Sequence, residues 1–321
     1  MDDGTCRCRA PRPHSRGRWR GAGEGGWALL LLFLPFFTGC TSGAQEHYAP
    51  RYGDAPFAAP AKPEYLFAVH PLHNPKRLFE VYQPLMEAIN AQAHGFSVKL
   101  EASRDYAEFE KKLYSGKFHF GLPNPYQTIE SERHGYRVFG KMADDYRFRG
   151  IIVVRKDSGI RQVGDLAGAS ISFPAPTALA ATMMTKYFLR TQGISLRADD
   201  LKYVGSQESA IMNVYLGKTK AAGTWPPPWE LFVRLRPEIA KDLMVLWETE
   251  SLVNNGLVVR SDVPKQHLQT VAQVLMTLHT HASGRAILGK MDLTHFEPAD
   301  SATFDPVRKF MVRYRKAFGD E

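Results

Sequence analysis

The amino-acid sequence predicts an α/β protein of two units, each a mainly parallel sheet covered by helices. Three observations carry this. From Tyr65 to about Tyr126, strand-like and helix-like segments alternate, as in a parallel sheet whose crossovers are helices. The alternation recurs after Gly159. Finally, Gly256-Leu257-Val258-Val259-Arg260-Ser261-Asp262 echoes Gly150-Ile151-Ile152-Val153-Val154-Arg155-Lys156-Asp157, so two like strands bracket the second unit.

In chain order, Tyr65–His70 reads as a strand. Asn74-Pro75 opens a helix whose Leu78, Tyr82, Leu85, Met86 and Ile89 share one face, with Pro84 expected to kink it. Ser97–Ala102 is a strand. Tyr106, Phe109 and Leu113 stripe a second helix that Gly116 ends. Phe118–Leu122 is a strand, and Asn124-Pro125 starts a third helix. Ile151–Val154 is a continuous apolar run, as in a strand buried on both faces. Lys156-Asp157-Ser158-Gly159 breaks it. The second unit then reads strand 170–173, helix 177–192, strand 202–204, helix 207–216, strand 220–223, helix 228–236 and strand 243–247. Pro174-Ala175-Pro176 forbids ladder and helix alike, and Thr177 is a good N-cap for the helix that follows. Pro264–His281 and Asp305–Phe318 are C-terminal helices expected to return to the first unit.

The N-terminus carries an independent signal. Arg7, Arg9, Arg12, Arg16, Arg18 and Arg20 precede the apolar run Trp27–Phe37, which is short for a membrane span. The run ends Phe37-Thr38-Gly39-Cys40 and gives way to a Gly/Ala/Ser-rich stretch, the layout of a secretory signal. It resembles a bacterial lipoprotein signal in which Cys40 becomes the acylated first residue. Residues 1–39 are then signal peptide. Residues 40–62, rich in Ala, Pro and Gly without periodicity, form a flexible tether. The only cysteines are Cys6, Cys8 and Cys40, so the exported chain has no internal disulfide. Of the net +8, the signal region accounts for +3, from six arginines against Asp2, Asp3 and Glu24. The modest remainder is compatible with an anionic ligand. No Lys/Arg run interleaved with aromatics points to nucleic acid.

Phe148–Ile160, Gly164–Gly168 and Ser170–Pro176 carry a family resemblance. They are similar to the substrate-binding proteins of phosphate/phosphite/phosphonate ABC importers, and the likeness extends more weakly from about Tyr65 to Tyr314. It implies a two-lobed periplasmic binding fold of type II. Lobe one would comprise residues 63–155 and 252–321, and lobe two residues 156–251. Ile151–Arg155 and Gly256–Arg260 would lie side by side as hinge strands. It further implies a monomer, anchored to a membrane through Cys40, that hands a small anionic solute to an inner-membrane permease.

The ligand is expected in the cleft, where strand ends meet helix N-termini. His70, Asn124, Tyr126, Thr177, Ala178, Leu179, Ser206, Gln207 and Trp225 sit in loops that reach it. Free amides at helix starts favour an oxyanion there. The resemblance also has departures. Where phosphonate binders carry a Ser-Thr-Ser run, this chain reads Ala178-Leu179-Ala180, and Gln207 replaces a usual His. The Trp225-Pro226-Pro227-Pro228-Trp229 segment adds rigid aromatic surface suited to an organic moiety.

Enzyme readings find little support. His70/His73 and His279/His281 lack metal-site spacing, so no metal or other cofactor is expected. There is no Gly-x-Ser-x-Gly, Walker or Gly-x-Gly-x-x-Gly motif. Glu208 and Asp165 read as solvated helix-start carboxylates. The rival to import is a sensing module in which the same binding event modulates a signalling partner.

Overall fold

The computed structural model describes residues 62–319. The expected signal peptide, Cys40 and nearly all of the expected tether lie outside the described residues. Lobe one begins with β1 (Glu64–Val69), α1 (Pro75–Gln92), β2 (Ser97–Glu101), α2 (Tyr106–Tyr114), β3 (Phe120–Leu122), α3 (Pro125–Ser131) and β4 (Tyr136–Met142). The chain crosses into lobe two for β5 (Ile151–Arg155) and β6 (Ile171–Phe173), then a π-helical turn (Leu179–Met184) that runs into α4 (Thr185–Thr191). Next come β7 (Leu201–Tyr203), α5 (Gln207–Tyr215), β8 (Ala221–Thr224), α6 (Pro226–Leu235), α7 (Pro237–Ala240) and β9 (Leu243–Glu248). It returns for β10 (Gly256–Arg260), α8 (Lys265–Thr277), α9 (Ala282–Lys290), β11 (Phe296–Glu297) and α10 (Asp305–Phe318).

Short-range chemistry explains the helix starts. Asn74 and Asn124 each precede a proline and accept from the backbone N–H three residues on, both at 3.0 Å. Asp105 and Ser206 do the same for α2 and α5. Such caps satisfy donors that the helix cannot, and each stabilises it by about 0.5–2 kcal/mol. α1 runs unbroken through Pro84. Its apolar face is buried against the first sheet together with Val271 and Leu275 of α8, and this burial offsets the lost bond.

The two sheets have strand orders β11-β4-β10-β3-β1-β2 and β7-β6-β8-β5-β9. In the first, β1 pairs parallel with β2 and β3, while β10 runs antiparallel between β3 and β4. In the second, β6 pairs parallel with β7 and β8, while β5 runs antiparallel between β8 and β9. The α/β class expected from the sequence is therefore present.

The expected hinge pair is corrected. Ile151–Arg155 and Gly256–Arg260 do not lie side by side, because they belong to different sheets. β5, expected within lobe one, is a strand of the second sheet. The echo between the two segments has another origin: each runs antiparallel to both of its sheet neighbours and is entered just after a crossing between lobes. Both have four buried residues followed by an arginine. Arg155 grips Asp157 through two nitrogens and donates to the Tyr215 carbonyl at 2.6 Å. Arg260 grips Asp262 in the same way and donates to the Gly116 carbonyl. In each lobe, then, an arginine closes off the C-terminal end of a helix, where unsatisfied carbonyls favour a cation.

The actual crossings are residues 143–150 and 249–255, and they do run together. Gly150 and Thr249 exchange hydrogen bonds of 2.9 Å. Leu252 N–H reaches the Phe148 carbonyl at 2.9 Å, and Asn254 donates to the Ala143 carbonyl at 2.7 Å. β4, α9 and β11 carry no clear sequence pattern and emerge only in the fold. α10 matches its expected bounds but serves both lobes. Arg308 pairs with Glu132 beside α3, while Phe310 packs on Tyr187 of α4 with ring centres 5.5 Å apart.

Candidate functional site

An apolar cluster spans the two lobes. It includes Leu72 and Ile129 from lobe one, Leu179 and Trp225 from lobe two, and Phe148 from a crossing segment. Within this closed arrangement the cleft narrows to a cavity of about 10 Å³, room for about one water molecule. Its wall holds His70, Tyr106, Asn124, Phe148, Gln207 and Trp225, closed on one side by residues 178–181.

Residues 178–181 are placed by two glycines. A methyl group at Gly150 would stand 2.5 Å from the Ala180 carbonyl oxygen, and one at Gly223 would run into the Ala181 carbonyl. Only glycine lets this segment lie so close to β5 and β8. The helix that follows starts as a π-turn: Thr182 N–H and Met183 N–H both reach the Ala178 carbonyl, at 2.7 and 3.3 Å. π-turns of this kind often mark functional sites. Ala178, not Thr177, is the N-cap, and it has no side-chain cap bond. Among the described residues, the amides of Leu179, Ala180 and Ala181 have no hydrogen-bond acceptor. Three successive free N–H groups at a helix start can cradle an oxyanion. No lysine or arginine lines this cavity, so such an anion would be held by amides and the helix dipole alone.

The neutral side chains of the wall are tied across the cleft. Gln207 accepts from Thr224 at 2.8 Å and lies near the Tyr106 hydroxyl of lobe one, while burial pushes the Tyr106 phenol well up. Asn124 donates to the Thr177 carbonyl at 3.0 Å. Behind it, Gln127 donates to Glu110 at 2.8 Å, and the Thr177 side chain lies near the same carboxylate. Burial nevertheless raises the Glu110 pKa. His70 is 2% exposed, and its Nδ1 lies 3.1 Å from the Leu122 carbonyl. A carbonyl only accepts, so Nδ1 carries the proton and Nε2 is left as an acceptor. Burial lowers the His70 pKa to about 4, partly opposed by that carbonyl.

Residues 67–304 match the model of the phosphonate periplasmic substrate-binding proteins of ABC transporters. The chain belongs to this family. No curated protein matches it by sequence. Among solved structures it is similar to a binding-protein component of an ABC phosphonate transporter from Pseudomonas aeruginosa, at 16% identity over 80% of this chain and 88% of that one, TM-score 0.74. A Prochlorococcus marinus protein in complex with methylphosphonate is similar at 16% identity over 79% and 98%, TM-score 0.72. A Xanthomonas citri protein bound to ATP gives 16% identity over 79% and 98%, TM-score 0.63. At these identities the structural likeness establishes the fold, which is the two-lobed type II periplasmic binding fold.

Of the residues expected at the cleft, the structure brings together His70, Asn124, Ala178, Leu179, Gln207 and Trp225. It places three elsewhere. Tyr126 is half-buried against the inter-lobe cluster. Ser206 caps α5 and bonds Ser209, facing an outer cavity rather than the cleft. Thr177 is half-buried with its side chain near Glu110, and the cap expected of it is not made. Tyr106 and Phe148 were not anticipated. Tyr106 follows the α2 cap Asp105 directly, a helix-start position that could have marked it. Phe148 lies in a crossing segment with no local signal. Trp225 packs on Phe148 with ring centres 5.4 Å apart, so it both braces the crossing and lines the cavity. Pro226, Pro227 and Pro228 deprive the α6 start of donors.

Proposed function

We propose that this chain is the solute-receiving component of an importer and captures a small oxyanion of the phosphonate class in the cleft, passing it unchanged to a membrane permease. The observation that carries the reading is the run of acceptor-free amides at Leu179–Ala181 on the cavity wall. Family membership and the methylphosphonate complex of a structural neighbour support it. The cavity is too small for a phosphonate, so the lobes part to admit one, and ligand then shifts the population back to the closed form. Cys40 lipid holds the protein at the membrane through the 40–62 tether.

Calorimetric titration with methylphosphonate, phosphate and sulfate tests the reading. Saturable methylphosphonate binding is the expected outcome, and its absence at millimolar concentration rejects the phosphonate assignment. Mass spectrometry of protein from a lipoprotein-processing host should find fatty acid on Cys40, and none in Cys40→Ala.

A further inference from the structure

A second cavity, of about 360 Å³, opens just outside the cleft. Gln207 lines both, so the two adjoin. The outer cavity also lies between the lobes. Lobe one supplies the first turns of α1, and lobe two the start of α5 and one flank of α6. Its volume falls in the range of small-molecule sites, whereas the inner cavity admits about one water molecule. An organic group on a captured oxyanion therefore finds its room here.

The chemistry of the outer wall differs from that of the inner one. Lys76, Arg77 and Arg236 bring three cations. Glu80 and Glu208 offset two of them, pairing with Arg77 at 3.1 Å and Arg236 at 3.5 Å. Lys76 has no ion-pair partner among the described residues, and Arg77 Nε is buried without a hydrogen-bond acceptor. Burial, together with the Arg77 charge, lowers the neighbouring His73 pKa to about 4. Leu231, Phe232 and Leu235 supply an apolar flank, with Leu235 59% exposed.

We infer that the outer cavity is a subsite for the organic part of the solute and that this part ends in a second anionic group, received by Arg77 and Lys76. The inference rests on the proposed phosphonate reading of the cleft. It assigns the solute to the two-ended class: a phosphonyl head for the amides of residues 179–181, a short hydrocarbon spacer past Gln207, and a carboxylate or phosphate tail. A tail ammonium would meet Lys76, which no carboxylate offsets among the described residues, as a like charge.

Titration of the full-length protein with three probes of one head and different tails tests this: ethylphosphonate, 3-phosphonopropionate and 2-aminoethylphosphonate. A charge-assisted contact at Arg77 predicts that 3-phosphonopropionate binds about tenfold tighter than ethylphosphonate, with 2-aminoethylphosphonate the weakest. In Arg77→Gln and in Lys76→Gln, 3-phosphonopropionate should lose several-fold more affinity than ethylphosphonate does. Two partly exposed positions on one helix give two independent chances of a folded variant. If ethylphosphonate binds and the carboxylate brings no advantage, or the advantage survives both substitutions, the outer subsite is refuted while the phosphonate reading stands. If none of the three binds, both fall.

Discussion

Acidification offers the sharpest test of the cleft geometry, through His70. The ring is buried, its Nδ1 is on the Leu122 carbonyl, and its pKa is lowered from 6.5 to about 4. The folded protein thus binds this proton less readily than the unfolded chain does. Between about pH 6.5 and pH 4 the unfolded state carries the proton and the folded state does not, so stability falls as pH falls. The contribution is fully present above pH 6.5 and is lost as pH drops toward 4. At about 1.4 kcal/mol per pH unit, the full interval amounts to roughly 3 kcal/mol. That is a large fraction of a marginal total of about 5–15 kcal/mol. Urea unfolding at half-unit steps from pH 7 to 4.5 measures it. His70→Asn keeps a donor for the Leu122 carbonyl and removes the titration. The half-buried His73 is lowered to about 4 as well, partly through His70 itself, so some slope survives in the variant. The expected result is a pH slope shallower than wild type by about one proton in this window. Parallel curves for the two proteins would refute a neutral, buried His70.

The other expectations follow from specific contacts. Trp225→Ala removes a 3% exposed ring packed on Phe148 between the lobes; it should cost about 3–5 kcal/mol in chemical denaturation, and a loss under 1 kcal/mol would place the ring outside the cluster. Gly223→Ala drives a methyl into the Ala181 carbonyl and the Phe173 ring. It should destabilise by about 1–3 kcal/mol and weaken oxyanion binding, since the segment bearing the free amides must shift; unchanged affinity in a folded variant would count against those amides. Arg147, in a crossing segment, bonds Glu230 of α6 at 2.5 Å and Asp292 of lobe one at 2.8 Å. With Glu230 partly exposed, Glu230→Gln should shift the closed–open balance by about 1 kcal/mol, seen as a larger radius of gyration in solution scattering; an identical profile would mean that Arg147 is no latch.

The sequence by itself determined what short-range physics controls. Asn74, Asn124 and Ser206 start helices because their side chains satisfy local amides, and the fold keeps all three. Asp305–Phe318 was bounded correctly by its amphipathic period. The unbroken apolar runs at Ile151 and Leu257 announced buried strands. The tertiary structure alone decided which sheet each run joins, because two strands with the same burial fit either sheet equally well locally. It also decided the hinge, whose residues 143–150 and 249–255 are irregular and meet only through bonds between segments about a hundred positions apart. At the cleft, the loops that end strands were legible, and with them His70, Asn124 and Gln207. The use of each side chain was not. Thr177 has the chemistry of a cap, yet the N-cap falls at Ala178 and the fold sets the Thr177 side chain near Glu110 of the other lobe. Gly150 and Gly223 look like ordinary strand glycines until the close approach of residues 180 and 181 shows what their missing side chains permit. Caps and periodicity act within a turn or two of chain, whereas partners across a cleft are set by which surfaces the whole chain buries together.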